Sequence, residues 1–148
     1  MAMQARFAAL RYPLRAVRRR VVVIEWLEPL FLAGHWTPEL VALAGGDDVG
    51  MQPGQHSVIR SWSSIAAAAP DLVIVALCGF DVPRIRHELD QFTDPEGLVV
   101  LTRNEVWLLD GHQYTSRPGP RLVDAAERMR SAMLGTKAEG LEVWRGRE

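Results

Sequence analysis

A single cysteine, Cys78, in 148 residues leaves no partner for an internal disulfide, so the fold rests on its apolar core alone. Long apolar runs are also lacking. The longest, Ile65 to Phe80, is broken by Pro70 and Asp71, short of the roughly eighteen uninterrupted residues a membrane-spanning helix needs. The four histidines are scattered. His35, His56, His87 and His112 show no H-x-x-x-H spacing, and Asp110 with His112 has no third partner, so no metal centre is legible. Acids are missing from the first twenty residues, where Arg6, Arg11, Arg15, Arg18, Arg19 and Arg20 supply six positive charges; the remainder holds 11 basic against 18 acidic side chains. A secretory signal needs an apolar core behind its basic start, and arginines interrupt Phe7 to Val17. The chain as written is therefore expected to be cytoplasmic. No nucleic-acid module or aromatic-bearing basic face accompanies the arginines, and nucleic acid is not an expected partner.

What is present fits one domain: 48% hydrophobic and 24% charged residues are ordinary for a globular chain of this length. Phe7, Leu10, Leu14 and Val17 recur at helical spacing, which predicts a solvated basic helix over residues 1–20, kinked or restarted at Pro13. Val21 to Ile24 reads as a strand. Thr37-Pro38-Glu39 reads as a helix cap and first turn, with Gly45-Gly46 as the stop. Asp47 to Arg60, with Gly50, Pro53 and Gly54, reads as a loop with at most a short strand near Val49. Ser61 caps an alanine-rich turn through Ala69, and the continuous apolar run Leu72 to Leu77 predicts a parallel strand buried on both faces. Asp81 caps a helix through about Phe92. Leu98 to Leu101 and Val106 to Leu109 read as further strands, Leu122, Ala126, Met129 and Met133 as the stripe of a last helix closed by Gly135, and 136–148 as a flexible tail tacked down by Trp144.

Three strands empty into loops of related character: Val21 to Ile24 into Glu25-Trp26, Leu72 to Leu77 into Cys78-Gly79-Phe80-Asp81, and Val106 to Leu109 into DGHQYTSRPGPR at 110–121. In open α/β sheets the ligand crevice lies at the carboxyl ends of strands. Trp26, Phe80 and Tyr114 are thus expected to converge on one rim, with Trp36 as a further candidate beside a helix start. Each has a packing role as its alternative. Trp62 and Trp107 read as structural. Arg117 and Arg121 present planar donor forks suited to ligand oxygens, or else pair with Asp110 or Asp124, the reading preferred for Arg121. Cys78 sits where a thiolate is stabilised ahead of a helix, yet no local pattern supplies a base, so catalysis is not expected.

The segments EWLEPLFLAGHWTPELVALAGG (25–46), PDLVIV (70–75), CGFD (78–81) and DGHQYTSRPGPRLVD (110–124) resemble, in order, the C-terminal lobe of cobalamin-binding periplasmic proteins, the solute receptors of vitamin B12 ABC importers. The resemblance spans roughly residues 15 to 135. It implies a three-layer α/β/α domain with a mostly parallel sheet, one lobe of the class III periplasmic-binding-protein fold, with residues 1–20 as a remnant of the inter-lobe helix, 21–135 as the lobe and 136–148 as a tail. It further implies cobalamin, a corrinoid, as ligand, contacted by Trp26, Trp36, Phe80, Tyr114 and Arg117, with His112 as a less favoured axial ligand to cobalt. No intrinsic cofactor is implied. An ABC permease is the implied docking partner, and the location becomes periplasmic or cell-surface if the chain is part of a full-length receptor. Family members clamp the ligand between two lobes, and only one is recognisable here. A lone lobe would leave Trp26 facing water, and exposed apolar patches tend to be covered, so a cleft-to-cleft homodimer or a separately encoded N-terminal lobe is expected. Alternatives are another chelate, siderophore or haem, and a non-binding remnant that serves association.

Overall fold

The computed structural model describes residues 3–10, 18–115 and 119–146. In chain order the elements are α1 (Met3–Leu10), β1 (Arg19–Trp26), β2 (Phe31–Leu32), α2 (Thr37–Ala44), β3 (Gly46–Asp48), β4 (Val58–Ile59), α3 (Trp62–Ala68), β5 (Leu72–Val75), α4 (Val82–Gln91), α5 (Pro95–Arg103), β6 (Glu105–Leu109), a π-type turn (Gly111–Thr115), α6 (Arg121–Leu134) and β7 (Leu141–Trp144). The sheet runs β4-β2-β1-β5-β6-β7, and β3 pairs with the start of β1. Strands β3, β1, β5 and β6 are parallel; β2, β4 and β7 are antiparallel additions at the two sides.

Period-two alternation makes this a three-layer structure. Val21 and Val23 of β1, Leu72 and Ile74 of β5, and Trp107 and Leu109 of β6 face the layer that contains α2 and α6. Val22, Ile24, Val73, Val75, Val106 and Leu108 face the opposite layer, where Trp62 and Ile65 of α3, Ile85 and Leu89 of α4, and Val100 and Leu101 of α5 fill the core. A strand covered on both faces has no solvent side, which is why all four residues of β5 are apolar and buried.

The basic start resolves into two separate roles. Arg6 on α1 reaches Asp124 and Glu127 of α6 together, and those two carboxylates hold its guanidinium pKa above the ordinary arginine value. Arg18, Arg19 and Arg20 do not form a solvated helix: Arg19 and Arg20 open β1, and the three side chains reach the C-terminal ends of three different helices. Arg18 donates to the Ala42 carbonyl in the last turn of α2 (3.0 Å) and to the Gly46 carbonyl that opens β3 (2.6 Å), and pairs with Asp47 at 2.8 Å. Arg19 donates to the Met133 carbonyl of α6 at 3.1 Å and to Glu105 at 2.7 Å. Arg20 donates to the Ala68 and Ala69 carbonyls at the end of α3. Helix C-termini carry unsatisfied carbonyls and negative partial charge, so a cation there gains on both counts. Burial opposes ionisation of Glu105, but the Arg19 guanidinium and the Trp107 indole N–H outweigh it and hold the carboxyl below its ordinary range. The rest of the expected helix, residues 11–17 with Pro13, lies outside the described residues.

Other expectations meet clear corrections. Leu98 to Leu101 is not a strand but lies within α5: Asp94 accepts from the Glu96 and Gly97 amides, Pro95 follows it, and Gly97, Val100 and Leu101 are buried at helical spacing. The Asp-Pro-Glu signal at 94–96 was legible and outweighs the short apolar run. Residues 141–144 are a strand: β7 pairs antiparallel with β6, burying Leu141 and Trp144. Trp36 rather than Thr37 occupies the cap position of α2, without a side-chain cap bond, and Thr37 is buried in the first turn. Ser61 and Asp81 cap α3 and α4, accepting from Ser64 and Arg84 amides at 3.2 and 3.0 Å. The 47–60 segment contributes part of β3 and all of β4 to the sheet.

Replacing Arg19 with alanine removes charged hydrogen bonds to α6 and β6 at once; urea denaturation should report a loss of about 1–2 kcal/mol. Asp48 accepts from the Gly50 and Met51 amides (both 2.9 Å) through one oxygen, while the other is buried without a partner among the described residues. Burial pushes its carboxyl up to about 6, against the two amide bonds that lower it. The folded state therefore binds a proton more tightly than the unfolded chain, a contribution fully present below about pH 4 and lost as pH rises through about 6. Asp48→Asn should remove that limb. The stability gap between wild type and variant is expected to shift by about 1 kcal/mol in favour of wild type from pH 7 to pH 5, and a gap that does not change with pH contradicts the assignment.

Candidate functional site

The carboxyl ends of β1, β5 and β6 form one rim, closed by backbone hydrogen bonds. The Ala76 amide donates to the Ile24 carbonyl at 2.9 Å and the Cys78 amide to Glu25 at 3.1 Å, so the exit of β5 stays tied to the end of β1. Gly79, at φ 79°, permits a tight turn in which the Phe80 amide donates back to Leu77 at 3.0 Å. On the other side the Gly111 amide donates to the Phe80 carbonyl at 2.9 Å, locking the exit of β6 to the same turn. Phe80 is thereby held between the two strand ends that flank it.

On this frame Trp26 and Phe80 meet, ring centroids 5.2 Å apart and tilted by 60°. Trp26 remains 37% exposed, a large apolar face turned to solvent. Asp81 starts α4 at the rim, which puts Arg84 in the first turn, its guanidinium carbon 4.5 Å from the Phe80 ring centroid. Glu88, one turn on, accepts from Arg84 at 3.3 Å. Beside Trp26 lies an open cleft of about 220 Å³, floored by Leu77 and Phe92 and edged by Glu28, Glu88 and Gln91. Aromatic faces and carboxylates at one mouth, with a cation one contact away through Glu88, can hold a flat, partly apolar molecule and orient its polar edge.

The five expected contact residues do not all arrive there. Tyr114 is 4% exposed and belongs to the core on the α2/α6 side. The turn after β6 winds inward, with the Gln113 amide on Asp110 (2.8 Å) and the Tyr114 amide on the Asp110 carbonyl (3.2 Å), and Arg128 of α6 covers the ring at 4.2 Å. The expected three-way convergence thus reduces to Trp26 and Phe80. Trp36 packs, partly buried, against that same α2/α6 side, whereas Phe80 packs against the other. Arg117 lies outside the described residues. Arg121 pairs neither with Asp110 nor with Asp124: it donates to the Gln113 amide oxygen at 3.2 Å, and Arg6 takes Asp124. Trp62 and Trp107 are buried, the first against Phe92 and the second donating to Glu105. Cys78 and His112 are exposed at the rim, and among the described residues no three His, Cys, Asp or Glu side chains gather as a metal centre. Arg84 was missed in the sequence: Phe80 precedes the Asp81 cap, outside the helix to which spacing rules apply.

The architecture matches one lobe of a class III periplasmic binding protein, a mixed α/β sheet between helical layers. The chain is similar to an ABC transporter substrate-binding protein from Listeria monocytogenes (15% identity, TM-score 0.74), covering 88% of this chain and 53% of that one. It is also similar to the periplasmic vitamin B12 binding protein BtuF of Vibrio cholerae (14%, TM-score 0.63, 89% and 49%) and to the periplasmic heme-binding protein RhuT from Roseiflexus sp. RS-1 (21%, TM-score 0.64, 90% and 53%). The chain spans about half the length of the solved structures it matches, and at these identities the likeness is one of fold. No family model and no curated protein matches it. Among the described residues no helix is long and apolar enough to cross a membrane.

The rim depends on Gly111, where a Cβ would overlap the Leu77 carbonyl oxygen. Gly111→Ala should cost at least about 2–3 kcal/mol in denaturant unfolding because backbone must move. Gly79→Ala, strained by its φ but with open space around it, should cost only about 1 kcal/mol.

Proposed function

We propose that this chain binds a flat metal chelate, cobalamin in the first place, as a single solute-receptor-like lobe of an ABC importer, and that it binds rather than transforms its ligand. The observation that carries this reading is the run of contacts from Trp26 to Phe80 at the strand ends and on to Arg84 in the first turn of α4, with Trp26 exposed beside a cleft. The ordered segment resemblance points to a corrinoid. Haem or a siderophore shares the required chemistry, a broad apolar plane with anionic margins, and fold neighbours named for heme stand beside the B12-binding one. Trp26 supplies a face, Phe80 supports it from the side and Arg84 meets a carboxylate or phosphate at the ligand margin.

Size supports a shared site. A cleft of about 220 Å³ is below the range of about 300–1,000 Å³ usual for drug-sized ligands, and a corrinoid is larger still. The lobe therefore provides one wall, and the second comes from a copy of this chain placed cleft to cleft or from a separately encoded N-terminal lobe. An ABC permease completes the proposed assembly, reached through surface outside the cleft. A purely associating, non-binding role rests on the same exposed Trp26 and differs in requiring no chelate.

Titrating cobalamin, and separately haemin, into the purified chain while recording visible spectra and sedimentation distinguishes these readings. Cobalamin is expected to give a saturable spectral change that drives the chain to twice its mass, and Trp26→Ala to weaken binding about tenfold or more. A response to haemin alone reassigns the chelate. No response to either at high micromolar ligand overturns the binding reading, and dimerisation unaffected by both ligands leaves the associating role in its place.

A further inference from the structure

A second constellation lies where the segment leading into α2 meets the segment leading into β4. His35 and His56, 21 residues apart in sequence, bring their rings to a centroid separation of 5.0 Å with planes at 83°. Both side chains are exposed. The backbone between the two segments is clamped from several sides: the His35 amide donates to the Gln55 carbonyl at 2.5 Å, the Gly54 amide to the His35 carbonyl at 3.3 Å, and the Gly34 amide to the Ser57 hydroxyl at 3.1 Å. Gly34 lies so close to the backbone of Gln55, His56 and Ser57 that a Cβ there would overlap it. His35 itself sits in the left-handed region at φ 56°, one of two non-glycine residues described there. Backbone held in a sparsely populated conformation by surrounding hydrogen bonds is a recurrent mark of positioned side chains. On its other side the Trp36 ring lies 5.6 Å from His35 and limits where that imidazole can swing.

We propose that His35 and His56 form a two-imidazole site for a borderline divalent transition metal ion, Zn²⁺, Ni²⁺ or Cu²⁺. Imidazole nitrogen binds such ions at about 2.0–2.1 Å. Adding about 1.1 Å from nitrogen to ring centre puts two ligated rings about 4.5 Å apart for a right-angle N–metal–N geometry and about 5.2 Å apart for a tetrahedral one. The observed 5.0 Å falls inside that window. Two protein ligands leave the remaining positions to water or to donors on an incoming molecule, which fits the exposure of both rings. A plain edge-on aromatic contact between the rings is the competing account, and it predicts no role for the nitrogens.

Isothermal titration of Zn²⁺ and Ni²⁺ into the tag-free full chain separates the two. One ion per chain is expected, at micromolar to tens of micromolar affinity. His35→Ala and His56→Ala should each weaken binding at least tenfold. His56→Phe retains the ring contact and removes the nitrogen, so it should keep the thermal midpoint of wild type and still lose the ion. His87→Ala and His112→Ala should bind as wild type does. Absence of binding at millimolar metal overturns the proposal, and so does binding that His35→Ala and His56→Phe leave unchanged. Neither outcome bears on chelate binding at the rim, which is read with cobalamin and the Trp26 variant.

Discussion

Three consecutive arginines at the mouth of the central strand hold the two helical layers to one edge of the sheet. A parallel arrangement sends every helix that feeds a parallel strand toward the same edge, so the ends of α2 and α3 converge there, joined by the end of α6. Each arrives with unpaired carbonyls and partial negative charge. Left to water, such an edge frays and repels itself. Arg18, just ahead of β1, and Arg19 and Arg20, its first two residues, send their guanidinium groups to α2, α6 and α3 in turn. One short sequence thus neutralises the ends of three helices, two on one face and one on the other. The middle of β1, Val21 to Ile24, is buried between those helices and depends on their staying in place.

The opposite edge is treated differently. There the strand ends are tied to one another by backbone bonds, from Ala76 to Ile24, Cys78 to Glu25 and Gly111 to Phe80, so rigidity needs no large side chains above the rim. Aromatic surface that elsewhere would be spent on packing can then face outward. Trp62 shows the contrast: of similar size to Trp26 and also in contact with a phenylalanine, it is 5% exposed because α3 and α5 close over it. Trp26 keeps 37% of its surface exposed at the side of the cleft.

Much of this was readable in the residues. Period-two alternation and the uninterrupted run at 72–77 identify the parallel strands, and Ser61, Asp81 and Gly135 mark helix ends by chemistry that acts within four residues. Local rules fail where a partner distant in sequence decides. The arginines at 18–20 look like a solvated helix face because their partners at 42, 68 and 133 are invisible to a window of twenty residues. Leu141 to Trp144 looks like a tail until β6 offers it an edge. Tyr114 looks like a rim aromatic because the preceding strand points it there, and only Arg128 and Gly140, brought over by α6 and the turn before β7, explain why the ring is drawn inside.

The loss of Tyr114 from the rim removes one of the three aromatics on which the functional reading was built and narrows what is left of it. With Tyr114 at the surface, the lobe would offer aromatic contacts across all three strand ends and a surface broad enough to retain a macrocycle alone. With it buried, the apolar contact narrows to Trp26 and Phe80 on the β1/β5 side, and the β6 side presents polar groups, His112 and Gln113. Such a surface is lopsided: one half stacks, the other hydrogen-bonds. A planar chelate lying across it would seat its ring over Trp26 and direct its polar substituents toward β6, leaving the second face of the ring bare. An exposed ring face in water carries the same hydrophobic cost as an exposed Trp26. Closing a second surface over the ligand removes both costs together, so ligand capture and lobe association are expected to be coupled, each strengthening the other by the same free energy.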